Sequence, residues 1–190
     1  MRRQSISFAL ILSAVAVLSL YGLGCNPFQK AQDKINEKVT EGILGKVTGG
    51  KVDIKEGGNQ ITYKDSKTGG TTAFGEDVKL PDDFPKSALI YPGAKVSGVT
   101  VAHENGDSAW VMYYSGDEVS KIVEWYNKEA KDKGWKEDSN LAYDKAVMQT
   151  YTKDNEKMSM NIGPSDDAAK GKSTVIVTWE LQPKEPASSN

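Results

Sequence analysis

The spacing of apolar residues changes character along the chain, and each change marks an element. Between positions 28 and 47 they fall at Phe28, Ala31, Ile35, Val39, Ile43 and Val47. Steps of three and four put them on one helical face, with Lys30, Asp33, Lys34, Glu37, Lys38 and Glu41 around the rest. Pro27 suits a first turn, where a missing N–H costs nothing. The spacing predicts an amphipathic helix within residues 25–48. Its mixed charges lack the basic bias of a membrane-surface helix, so it reads as a spacer or as a helix packed on its own domain. From 49 to 79 the period drops to two. Val52 and Ile54, Ile61 and Tyr63, and Thr72 and Phe74 alternate between Gly57-Gly58-Asn59 and Gly69-Gly70, which predicts a small Gly-rich β-meander. Residues 80–94 then carry Pro81, Pro85 and Pro92, so the path is extended and rich in turns. Phe84, Leu89, Ile90 and Tyr91 are too apolar for a solvated linker, so this connector should lie against the next domain.

Residues 95–182 hold the strongest patterns. Val99, Val101 and His103 alternate, Asn105-Gly106 supplies a two-residue turn, and Trp110, Met112 and Tyr114 alternate again. Ser115 and Glu118 sit at capping-box spacing ahead of a helix reaching Lys133, with Val119, Ile122, Val123, Tyr126 and Ala130 on one face and Gly134 as its stop. Three strands follow, 146–153, 156–163 and 172–182; in the last, Val175, Val177, Trp179 and Leu181 share a face. The predicted fold class is α+β: an antiparallel sheet of about five strands in β-β-α-β-β-β order with one packed helix, preceded by the amphipathic helix and the meander. The tail, 183–190, is polar and expected to be disordered.

Composition changes the picture at the amino end. Arg2 and Arg3 precede an uncharged apolar run from Ile6 to Leu23, the pattern of a secretory signal over residues 1–24. Removing it takes the net charge from −2 to −4 and leaves Lys as the remaining cation, because Arg occurs at positions 2 and 3 alone. A mildly acidic domain without Arg is a poor partner for nucleic acid. The single Cys excludes an internal disulfide framework, and the single His excludes multi-His metal centres, so no cofactor is expected.

That lone Cys ends the apolar run in Leu20-Tyr21-Gly22-Leu23-Gly24-Cys25-Asn26. The segment resembles the lipobox of bacterial lipoprotein precursors, with Gly22 and Leu23 in swapped order relative to the family preference and Gly24 in keeping with it. The resemblance implies acylation at Cys25, cleavage before it, and attachment of the remainder to a bilayer outside the cytoplasm, on the periplasmic side of either membrane or at the cell surface. An uncleaved anchor and a plain secretory signal are the alternatives. Phe84-Pro85, Tyr91-Pro92-Gly93-Ala94-Lys95-Val96, Trp125-Tyr126 and Lys133-Gly134-Trp135 resemble elements of uncharacterised bacterial envelope lipoproteins over residues 80–182. That class implies export and anchoring and carries over no functional residues.

Chemistry is harder to find. Gly45 to Val52 imitates a phosphate-binding loop, but Val52 replaces the hydroxyl residue and the order is helix–loop–strand. His103 has no GxSxG nucleophile to serve and reads as a strand-end or core residue. Asp82-Asp83 and Asp166-Asp167 are the paired carboxylates that a hydrolase with acid–base chemistry would draw on. The strands carry large residues on both faces, which one helix cannot cover. Trp110, Met112, Tyr114 and Trp179 are therefore the candidate binding surface. The expected function is a membrane-tethered, non-enzymatic binding or scaffolding module at the cell envelope, with an envelope protein, glycan or lipid as partner. The rival is an envelope hydrolase.

Overall fold

The computed structural model describes residues 49–55, 59–76, 78–103 and 106–182. The signal segment, Cys25, the amphipathic helix and the tail from Pro183 lie outside them. Nine strands appear: β1 Gly50–Ile54, β2 Gln60–Asp65, β3 Thr71–Gly75, β4 Lys95–Ala102, β5 Ser108–Ser115, β6 Lys136–Tyr143, β7 Ala146–Lys153, β8 Glu156–Pro164 and β9 Ser173–Leu181. Among the described residues one helix, α1 (Val119–Asp132), separates β5 from β6. The strands form a single antiparallel sheet in the order β1-β2-β3-β4-β5-β9-β8-β7-β6.

This corrects the predicted five-stranded α+β arrangement in two places. The meander is continuous with the main sheet, because β3 pairs with β4 through Thr71↔Val101 to Phe74↔Gly98. A short, Gly-rich meander buries little by itself and gains stability by extending a sheet that already has a core. The second correction is β6. Its sequence, KEDSNLAY, shows no apolar alternation, since every residue in it is exposed. It exists because β7 offers it a complete ladder, from Lys136↔Thr152 to Tyr143↔Ala146.

Alternation fixes which face of the sheet is buried. Along β5 the burial pattern switches at every residue, with Ala109, Val111 and Tyr113 inside. Val175, Val177 and Trp179 of β9 face the same way, as do Met158, Met160 and Ile162 of β8. Helix α1 covers this face with Ile122, Tyr126 and Ala130, spaced four apart and all fully buried. Burying one large side chain completely is worth about 1.5–3 kcal/mol, so this stripe sets the helix in place. The helix starts later than expected. Glu118 is its N-cap without a side-chain bond, and Ser115 Oγ accepts instead from the amide of Asp117 at 3.2 Å. It stops as expected: Gly134 takes φ 80°, and the Trp135 amide returns to the Ala130 carbonyl at 2.9 Å.

The connector forms a strap beside α1 on the same face. Val78, Leu89 and Tyr91 join the buried core. The Tyr126 hydroxyl donates to the Leu89 carbonyl at 3.1 Å and lies 2.8 Å from the Tyr113 hydroxyl, while the Leu89 amide reaches Met158 Sδ at 3.3 Å. Tyr91 closes the end of the strap by donating to Asp117 Oδ2 at 2.7 Å.

Candidate ligand-binding site

The two faces of the sheet split the sequence-predicted surface. Trp110, Met112 and Tyr114 share the face away from α1, each half-buried. Trp179 does not join them. It pairs with Ala109, not Trp110, so it points to the side gripped by α1 and the strap, is 6% exposed, and donates from Nε1 to Glu156 Oε2 at 3.2 Å. On the open face Phe74 and Trp110 pack at 6.1 Å over Gly98, where a Cβ would come within 2.9 Å of both rings. Tyr114 lies beneath Lys170 Nζ, 5.3 Å from the ring centre. Across this face Met112 lies beside Ile176, whereas Trp110 is flanked by Thr100 and Thr178.

Concave sites occur on the gripped side, where the strap stands away from its neighbours. The larger, of about 400 Å³, runs between the strap and α1. Leu80, Phe84, Ala88 and Ile90 supply one wall and Trp125 the other. Trp125 is held rigidly, edge-on to Tyr91 at 5.3 Å and to Tyr126 at 4.9 Å. Two cations stand at the rim, Lys86 and Lys133. Lys133 is paired with Glu129 at 3.3 Å, whereas Lys86 has no ion-pair partner among the described residues. Apolar walls with a few charges at the mouth suit a ligand that is largely hydrocarbon and carries an anionic head.

The smaller groove, of about 310 Å³, lies on the other flank of the strap, with Trp179 and Val101 beneath and His103, Asp83, Asp107 and Glu156 around it. His103 sits at the end of β4. Its Nδ1 is 2.8 Å from Asp107 Oδ1 and its Nε2 is 3.2 Å from Asp83 Oδ2. The hydrogen bond to Asp107, then that to Asp83, raises its pKa above the ordinary value of 6.5, against a smaller opposing effect of burial. While both ring nitrogens donate to carboxylates the ring is the imidazolium, which has no lone pair to act as a base. Ser87 and Ser108 line the groove without bonding to the ring. Asp167, from the second predicted acid pair, caps its own loop by accepting from the Ala169 amide at 3.1 Å. The first pair contributes Asp83 as a structural tie. Among the described residues no group of three His, Cys, Asp or Glu side chains is arranged to hold a metal ion, and no helix is long and apolar enough to cross a membrane.

Sequence reasoning missed the strap–helix groove. Its apolar positions were visible as a connector too hydrophobic for solvent, but Trp125 of the helix that completes it lies 35 residues beyond Ile90. A family model described as START domain-like matches residues 96–180, from β4 to β9 with α1 included. No curated protein and no solved structure matches the chain.

Proposed function

We propose that this chain is a non-enzymatic ligand-binding module that takes an amphiphile, a single acyl chain with an anionic head, into the groove between the strap and α1. The carrying observation is that groove's composition: hydrocarbon walls from Leu80, Phe84, Ile90 and Trp125, with Lys86, which has no ion-pair partner among the described residues, at the mouth. The START domain-like match over 96–180 supports a ligand-binding reading and is compatible with the absence of catalysis. The interior between sheet and helix is filled by Tyr113, Tyr126, Ile122 and Met158, each fully buried, so the ligand lies along the strap and not within the core. The hydrolase rival draws no support from the acid pairs, since Asp83 is tied to His103 and Asp167 to its own loop.

The same reading places the module at a membrane. Arg2 and Arg3, the apolar run from Ile6 to Leu23 and Cys25 support an exported chain acylated at Cys25. Two or more acyl chains hold a protein stably on a bilayer. Palmitate labelling is expected in the wild type and absent in Cys25→Ser; equal labelling in the two removes the anchor.

The ligand site is tested with a diazirine-bearing fatty acid added to isolated membranes that carry the full chain. After illumination, adducts are expected on peptides covering 80–91 and 119–133, and at reduced yield in Lys86→Glu. Adducts confined to peptides outside these two segments, or unchanged by Lys86→Glu, contradict the assignment.

A further inference from the structure

We propose that His103 is a proton-operated latch that holds the strap shut, so that the groove proposed above opens as pH rises. The inference rests on the ligand reading for its consequence, but the latch itself rests on geometry alone. The strap is fastened unevenly. Its later part is tied by the Leu89 amide and carbonyl to Met158 and Tyr126 and by Tyr91 to Asp117. Its earlier part, residues 79–87, has turns of its own, Phe84 N to Pro81 O and Ala88 N to Pro85 O. Among the described residues, the hydrogen bond from this part to the rest of the fold is the one between Asp83 and His103. Pro85 and Lys86 line both grooves, while Phe84, next to Asp83, lines the larger one and packs against the core, so freeing Asp83 loosens the wall the two grooves share.

The bond depends on the proton. Carboxylates accept and do not donate, so Asp83 and Asp107 can both be bonded only when the ring carries both N–H groups. A neutral ring has one N–H. The contact to Asp107 is shorter, 2.8 Å against 3.2 Å, and spans four residues, so it keeps the proton. Nε2 then turns a lone pair toward the Asp83 carboxylate, and attraction becomes repulsion. The charged groups around this ring are Asp83 and Lys86 from the strap, Asp107 from the β4–β5 turn and Glu156 from β8; Glu104, next in sequence, lies outside the described residues. Carboxylates outnumber the single Lys, which favours the imidazolium. The sign follows: a group whose folded-state pKa is raised above 6.5 contributes fully below that value and loses its contribution as pH climbs through the higher folded pKa.

Amide exchange of the full chain in lipid nanodiscs, without added ligand, tests this. After correction for the intrinsic pH dependence of exchange, residues 80–87 should open about fivefold more between about pH 5.5 and about pH 8.5, the scale of one partly exposed charged hydrogen bond, while 119–133 stays unchanged. In Asp83→Asn the amide can accept from the imidazolium or donate to the neutral ring, so the strap should stay closed and the response should vanish. A strap whose exchange does not change with pH in the wild type, or a pH response that survives in Asp83→Asn, overturns the latch. Neither result touches the fatty-acid adducts, which test the ligand reading separately.

Discussion

The two faces of one sheet have different fates. On the gripped face, Val111, Val177 and Met160 are sealed by α1 and the strap, each at most 2% exposed. On the open face, their strand neighbours Met112 and Ile176 are half-buried, Asn161 is exposed, and at the β6–β7 end Leu141 and Met148 are 63% and 54% exposed. The open face also carries Thr100, Thr174, Thr178, Ser159 and Asn161 among its apolar residues. The chain supplies α1 and the strap to the other side, and these covering elements, where they part, create the concave sites. A flat sheet face presents area, whereas a covered face with a gap presents a groove, and the groove is what can enclose a small ligand.

The comparison breaks most sharply by removing the seal. Ile122→Ala leaves a cavity in a fully buried site and should cost about 2–5 kcal/mol in urea unfolding, whereas Ile176→Ala on the open face should cost about 1 kcal/mol or less. Equal losses would mean the two faces are not energetically distinct. Next in size is Gly98→Ala. The added Cβ meets Phe74 and Trp110 at 2.9 Å, so it should cost about 1–3 kcal/mol and shift Trp110 emission as the pair is pushed apart. Asn127→Ala acts on the gripped face by polarity, not volume. Its Oδ1 accepts from Gln149 Nε2 at 2.6 Å and from the Tyr151 hydroxyl at 2.8 Å, and leaving both donors unpaired should cost about 1–2 kcal/mol. Leu141→Lys is the smallest. At 63% exposure it should move the urea midpoint by no more than the equivalent of about 0.5 kcal/mol.

Much of the architecture was readable because burial imposes alternation. β5 shows it at every position and β9 from Ser173 to Glu180, and α1 shows its stripe and its Gly134 stop. β6 was not readable, since a strand exposed on both sides has no pattern to display. Nor was the single sheet: β3 pairs with β4 across the whole strap, and nothing in either strand announces its neighbour. Trp179 shows the same limit at the scale of one residue. Its side within β9 follows from Val175 and Val177, but its side relative to Trp110 depends on the β5–β9 register, which pairs it with Ala109. The strap–helix groove and the Asp83–His103 tie were hidden for a related reason, since each joins residues that only the finished fold brings together.

The central claim is that the gripped face binds an acyl amphiphile along the strap while the open face does not. Amide exchange of the full chain with and without dodecanoate, at a pH above the His103 transition, where the groove is open, measures it most directly. The account predicts slower exchange in residues 80–91 and 119–133 and no change in 136–148; slowing across 136–148 with the strap and α1 unaltered would contradict it.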